Sequence, residues 1–136
     1  MSTTDPVTFP DAERLCIDVL VSALAPYAPT TTVGATLPSS WTPSHPPHIT
    51  VQSDGAARVQ HPVAVWPTVR LTAWAKAPTD AKRIVNAAMG ALVHFADFLV
   101  VPLTDVLSAR DSDHGDAELA SITCRVTVRS TPLLPA

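Results

Sequence analysis

The chain has 136 residues, 46% of them hydrophobic and only 15% charged, with a net charge of -3. That length fits one domain, which buries roughly two-thirds of its unfolded surface and needs no disulfide or metal staple. The nine Lys and Arg are scattered, with Lys82-Arg83 as the longest basic run, so there is no basic stripe for a row of phosphates; the longest apolar run, residues 98–101, is far too short to span a bilayer.

Residues 1–7 are polar, lack the apolar region of a signal peptide and read as a flexible arm. Thr8-Phe9-Pro10-Asp11 reads as a helix start, with Thr8 as the cap and Pro10 in the first turn. Ala12, Leu15, Cys16, Val19, Leu20 and Ala23 then recur at helical spacing, with Arg14, Asp18 and Ser22 on the far face, until Pro26 stops the helix. Residues 30–37 are rich in β-branched side chains and predict a strand. Residues 38–47 hold four prolines and predict an extended loop around Trp41. A strand follows over residues 48–53, with Ile49 and Val51 on one face, and Asp54-Gly55 signals a hairpin turn. The chain returns through residues 63–74, where Val69, Leu71 and Ala73 alternate with Thr68, Arg70 and Thr72.

Pro78-Thr79-Asp80 opens a second helix. Ala81, Ile84, Val85, Ala88, Leu92 and Phe95 form its apolar stripe, and Lys82, Asn86, Gly90 and His94 its opposite face. Residues 99–110 predict a strand whose start Pro102 confines to an edge or bend. A polar turn over residues 111–116 leads to a strand over 118–129, with Ile122, Cys124, Val126 and Val128 facing one way and Ser121, Thr123, Arg125, Thr127 and Arg129 the other. Residues 131–136 read as a frayed tail. The order predicts a single α+β domain over residues 1–136, a mixed, mainly antiparallel sheet with two helices packed on one face. The other sheet face carries Thr, Ser and Arg and is either solvated or an interface.

The search for chemistry returns little. His45, His48 and His61 could converge, but no carboxylate or cysteine accompanies them and Pro46-Pro47 stiffens the approach, so no metal is expected. Asp111-Ser112-Asp113-His114-Gly115-Asp116 resembles the start of a calcium loop, but Asp116 stands where glycine is needed and Ile122 where the bidentate glutamate is needed. His48-Ile49-Thr50 is a single copy of a motif that phosphoesterases use twice, and a lone base cannot run that reaction. The four glycines form no phosphate-cradling loop, no serine sits in a nucleophile elbow, and no cofactor is expected. Cys16 and Cys124 read as buried reduced thiols.

The informative features concern surfaces. A chain this poor in charge hides part of its surface against copies of itself or partners. Trp41 leaves two readings open: it folds back on the body, or it anchors a neighbouring subunit. With Pro43 and His45 in the same loop, Asp54 and Arg58 in the 53–60 hairpin, and Arg125 and Arg129 on the last strand, it makes up the candidate subunit or ring interface. Trp74, at a strand end, reads as the rim of the core.

Three stretches together resemble a known family. They are the helix start Phe9-Pro10-Asp11-Ala12-Glu13-Arg14-Leu15, the strand Val69-Arg70-Leu71-Thr72-Ala73-Trp74-Ala75 running into Thr79-Asp80-Ala81, and the closing strand Ser121-Ile122-Thr123-Cys124-Arg125-Val126-Thr127-Val128. In this order, over about residues 9–130, they are similar to the tail terminator (minor tail, head-tail joining) proteins of long non-contractile-tailed bacteriophages. Where family members carry alternating acids in the central strand, this chain has Thr72 and Ala73, so no role of those acids carries over. The resemblance implies a non-enzymatic virion protein with a tail-tube-like fold, assembled in the host cytoplasm and residing in the virion tail. It implies a homo-hexameric ring that caps the tail tube, ends its polymerisation and meets the head-completion or stopper protein. DNA would pass through its lumen without specific binding, and no membrane is involved. A head-side stopper or adaptor is the nearest alternative, and a small cytoplasmic ligand-binding module a further one.

Overall fold

Asp11 turns the chain into its first helix. Its carboxylate accepts a hydrogen bond from the Glu13 amide at 3.0 Å, and α1 follows over Ala12–Leu24. The computed structural model describes residues 7–56, 64–111 and 116–132. Thr8, expected as the cap, lies instead in a short strand β1, Val7–Thr8, which pairs antiparallel with the last strand β10, Thr131–Pro132. The expected arms therefore hold each other at these residues; 1–6 and 133–136 lie outside the described residues. Ala12, Cys16, Leu20 and Ala23 are buried as helical spacing predicts, Leu15 and Val19 are only half-buried, and Ile17 and Leu24, not expected on the stripe, are buried as well. After Leu24 the Tyr27 and Ala28 amides both donate to its carbonyl, which closes the helix end ahead of Pro29.

The second helix, α2, runs over Pro78–Phe95 with proline in its first turn. Ala81, Val85, Ala88, Met89 and Leu92 are buried, while Phe95, expected on the stripe, is 53% exposed. The helix ends there, where the Ala96 amide donates to the Leu92 carbonyl at 3.1 Å, so the last ring has no neighbouring turn to lie against.

Both helices lie on one face of the main sheet. Its order is β2 (Thr32–Gly34), β3 (His48–Ala56), β5 (Pro67–Ala75) and β8 (Ala117–Val126), with β6 (Val100–Pro102) and β7 (Leu107–Asp111) following one another along the far side of β8. β2 runs parallel to β3 and the other pairs are antiparallel. This is the mixed, mainly antiparallel α+β arrangement that the sequence predicts. Ile49, Val51, Val69, Leu71, Cys124 and Val126 meet Cys16, Leu20, Val85 and Leu92 in one core.

Several boundaries differ from the expectation. The strand expected over 30–37 shrinks to three residues, because it pairs on one side only. β3 continues through the expected Asp54-Gly55 turn to Ala56, with a register shift between Ser53 and Ala56. Glu13 Oε1 accepts a hydrogen bond from the Ser53 amide there at 2.8 Å, tying α1 to the irregular stretch. The return strand is split: β4 (Ala64–Val65) pairs with β9 (Val128–Arg129), and β5 begins after Trp66. The strand expected over 99–110 is broken by residues 103–106, where the Thr123 amide donates to the Thr104 side-chain hydroxyl at 3.1 Å in place of a backbone carbonyl. Asp116, with φ 60°, leads into β8.

Cys16 and Cys124 are buried and free. Burial pushes the Cys16 thiol up to about 12, helped by Cys124 and Asp11, and the Cys124 thiol up to about 11. No helix among the described residues is long and apolar enough to cross a membrane.

Candidate functional site

The sheet face turned away from the helices is covered at one end and open at the other. At the covered end, residues 38–47 fold back over it. The Trp41 amide donates to the Pro38 carbonyl at 3.0 Å, and its indole Nε1 donates to the Pro46 carbonyl at 2.9 Å. The ring meets Trp74 edge-on, with centroids 6.4 Å apart. Trp41 thus takes the first of its two readings and keeps 7% of its surface exposed, so a neighbouring subunit could meet the loop but little of this side chain. Trp74 is half-buried and donates to Thr50 Oγ1 at 3.3 Å, as the rim of the core should.

His48, two residues before Thr50 on the same strand face, is 3% exposed. Its Nδ1 lies 2.6 Å from Thr32 Oγ1 and its Nε2 3.0 Å from the Thr36 carbonyl. A carbonyl only accepts, so Nε2 carries the proton and Nδ1 accepts from the threonine hydroxyl. Both ring nitrogens are spent on pinning the β2 edge, and burial holds the imidazole below its ordinary value. His45 is exposed; its Nδ1 accepts from the Thr42 amide at 3.0 Å within a local turn, beside half-buried Pro43. His61 lies outside the described residues, as do residues 112–115 of the acidic turn. Among the described residues, no three or more His, Cys, Asp or Glu are grouped to hold a metal ion.

The open end carries the exposed apolar groups. Val101 sits beside Arg125 in the register of β6 with β8, and Leu107 and Ala109 sit beside Ser121 and Leu119 in the register of β7 with β8. They therefore share the face turned away from the helices. Leu103 continues the strip, its amide donating to the Thr123 carbonyl at 2.8 Å. Leu107 is 64% exposed. This strip lines the free edge of the sheet, the side on which no strand among the described residues pairs. Sequence reasoning placed a strand here but did not single out these residues. Within each strand alternation marks the face, Val101 in β6 and Leu107 and Ala109 in β7, but the signal is interrupted by residues 103–106, which include Asp105.

A second apolar surface lies in the helix layer, where the C-terminal ends of α1 and α2 meet. Asp18, Val19, Ser22, Ala23, Pro26, Tyr27, Phe95 and Asp97 line a groove of about 690 Å3. Tyr27 is 78% exposed at its rim.

The remaining candidates scatter. Asp54 accepts an ion pair from Arg70 at 3.4 Å, across β3 and β5, so it serves within the chain. Arg58 lies outside the described residues, with the second half of the 53–60 hairpin. Arg125 is exposed beside the apolar strip, whereas exposed Arg129 lies with Asp97 and Leu99 in a separate hollow of about 360 Å3. The structure thus brings Arg125 to the strip and gathers Trp41, Pro43 and His45 in one loop, but does not join the two groups. No protein-family model matches the chain, and no curated protein matches it.

Proposed function

We propose that this chain is a structural subunit that assembles with copies of itself into a ring, and that the ring is a tail terminator. It would cap the tail tube of a long non-contractile-tailed bacteriophage and join it to the head-completion protein in the virion. The observation that carries the assembling role is the row Val101, Leu103 and Leu107 exposed along a free sheet edge. Monomers blunt such edges with charge, proline or cover; here Pro102 ends β6 and Arg110 and Asp111 end β7, yet Val101, Leu103 and Leu107 stay apolar and exposed. The resemblance of the three sequence stretches supplies the particular ring. The alternative of a ligand-binding module draws on the helix-end groove, but a pocket that holds a small molecule encloses most of it. Tyr27 at 78% exposure marks an open trough.

The deciding experiment is native mass spectrometry of the purified protein over a range of concentrations, alone and with tail-tube protein, with electron microscopy of the products. Closed six-membered rings, in solution or on tube ends, support the reading. A chain that stays monomeric or dimeric under both conditions and binds no tube end overturns it.

A further inference from the structure

Five of the exposed large apolar side chains lie in two patches, Tyr27 and Phe95 at the helix-end groove and Val101, Leu103 and Leu107 on the edge strip, while Val21, Val93 and Leu99 lie outside both. The helix-end groove has two charged lining residues, both acids. Asp18 is engaged by Arg14 at 3.3 Å, while Asp97 makes no ion pair among the described residues and also lines the neighbouring hollow that holds Arg129. The edge strip has Arg125 in register beside Val101, exposed and without an ion pair among the described residues. Asp105 lies in the exposed connection between β6 and β7. The patches also belong to opposite layers, the groove to the helices and the strip to the far face of the sheet.

We propose that the edge strip of one copy seats in the helix-end groove of a second copy, with Arg125 of the one set against Asp97 of the other. The inference rests on the reading of the chain as an assembling subunit and names its mating surfaces. A symmetric groove-to-groove contact would set Asp18 and Asp97 against their own copies and leave the strip exposed. A symmetric strip-to-strip contact would leave Tyr27 and Phe95 exposed and, if made face against face, would oppose two Arg125 side chains. The head-to-tail contact covers both patches at once and pairs unlike charges. Because the two patches differ and lie on opposite layers, the contact repeats from copy to copy, which is what a ring requires.

The test is a charge-reversal set: Asp97→Lys, Arg125→Glu and the double variant, each checked for folding by circular dichroism. Self-association is read by sedimentation velocity and native mass spectrometry, alone and with tail-tube protein. Both residues are exposed, so the fold tolerates the changes. Each single reversal is expected to weaken self-association about tenfold or more, and the double variant to recover most of it. If the wild-type chain assembles and neither reversal matters, the contact lies elsewhere and the ring reading survives. If both single variants weaken assembly but the double variant does not recover, the Arg125–Asp97 pairing is wrong. A wild-type chain that never self-associates, even on the tube, overturns the contact and the ring reading together.

Discussion

His48 and Trp41 are the two residues whose placement says most about local energetics. His48 must be neutral to accept from Thr32 while donating to Thr36, and burial lowers its affinity for a proton below the ordinary value of 6.5. Below that value the unfolded chain takes up a proton that the folded chain refuses. Stability tied to this residue is therefore full above about pH 6.5 and falls as the pH drops through the window between the unfolded and the lower folded value. Urea denaturation as a function of pH should show this slope in the wild-type chain and lose part of it in His48→Gln. Equal slopes in the two proteins would mean that the ring is not held as described. Trp41→Ala removes an indole hydrogen bond, an edge-on aromatic contact and a nearly buried side chain, and should cost about 3 kcal/mol. Trp41→Phe keeps the apolar contact and should cost about 1 kcal/mol, the value of one hydrogen bond. The two thiols, pushed up to about 12 and about 11, should be inert to a thiol-specific reagent at mildly alkaline pH and react only on unfolding. Of these residues, the sequence made the cysteines readable as buried thiols. Trp41 stayed undecided because its partner, Trp74, is distant in the chain, and no local pattern reports a contact made through a proline-rich loop.

Among the elements, periodicity made both helices and the long strand β8 legible. Each buries a stripe wide enough to leave a repeat in the sequence, as Cys16, Leu20, Val85 and Leu92 do against Cys124 and Val126. The short elements were not legible. β1 and β10 pair over two residues each, too few to carry a period, and β2 owes its existence to β3 rather than to its own residues. The break between β6 and β7 was half legible, since Pro102 marks the bend but not the four residues that follow. The edge strip could be seen as a strand but not as a surface, because alternation shows which residues share a face and not whether anything covers it. One helix position invites improvement. Gly90 is exposed within α2, with nothing within 4 Å of where a Cβ would stand. Gly90→Ala should raise stability by about 0.5–1 kcal/mol, measured by urea denaturation. No gain would indicate that this face of α2 meets something that the isolated chain does not reveal.

For the molecule as a whole, one core joins both helices to the main sheet. Thermal unfolding should accordingly follow one cooperative transition, with the calorimetric and van't Hoff enthalpies agreeing for the monomeric chain. The melting temperature should not change on adding reductant, because Cys16 and Cys124 are free; a fall would reveal a cross-link. Finally, β8 has a bearing on how the protein is made. It is flanked by β5 on one side and by β6 and β7 on the other, yet it is synthesised after all three. While a ribosome extends the chain, the apolar stretch 99–107 emerges before the strand that it must pair with. At roughly 5–20 residues per second, that wait lasts about one to five seconds. Slow translation through residues 117–126 would lengthen it and favour aggregation of nascent chains, so codon choice in that short segment should govern soluble yield more than codon choice elsewhere in the chain.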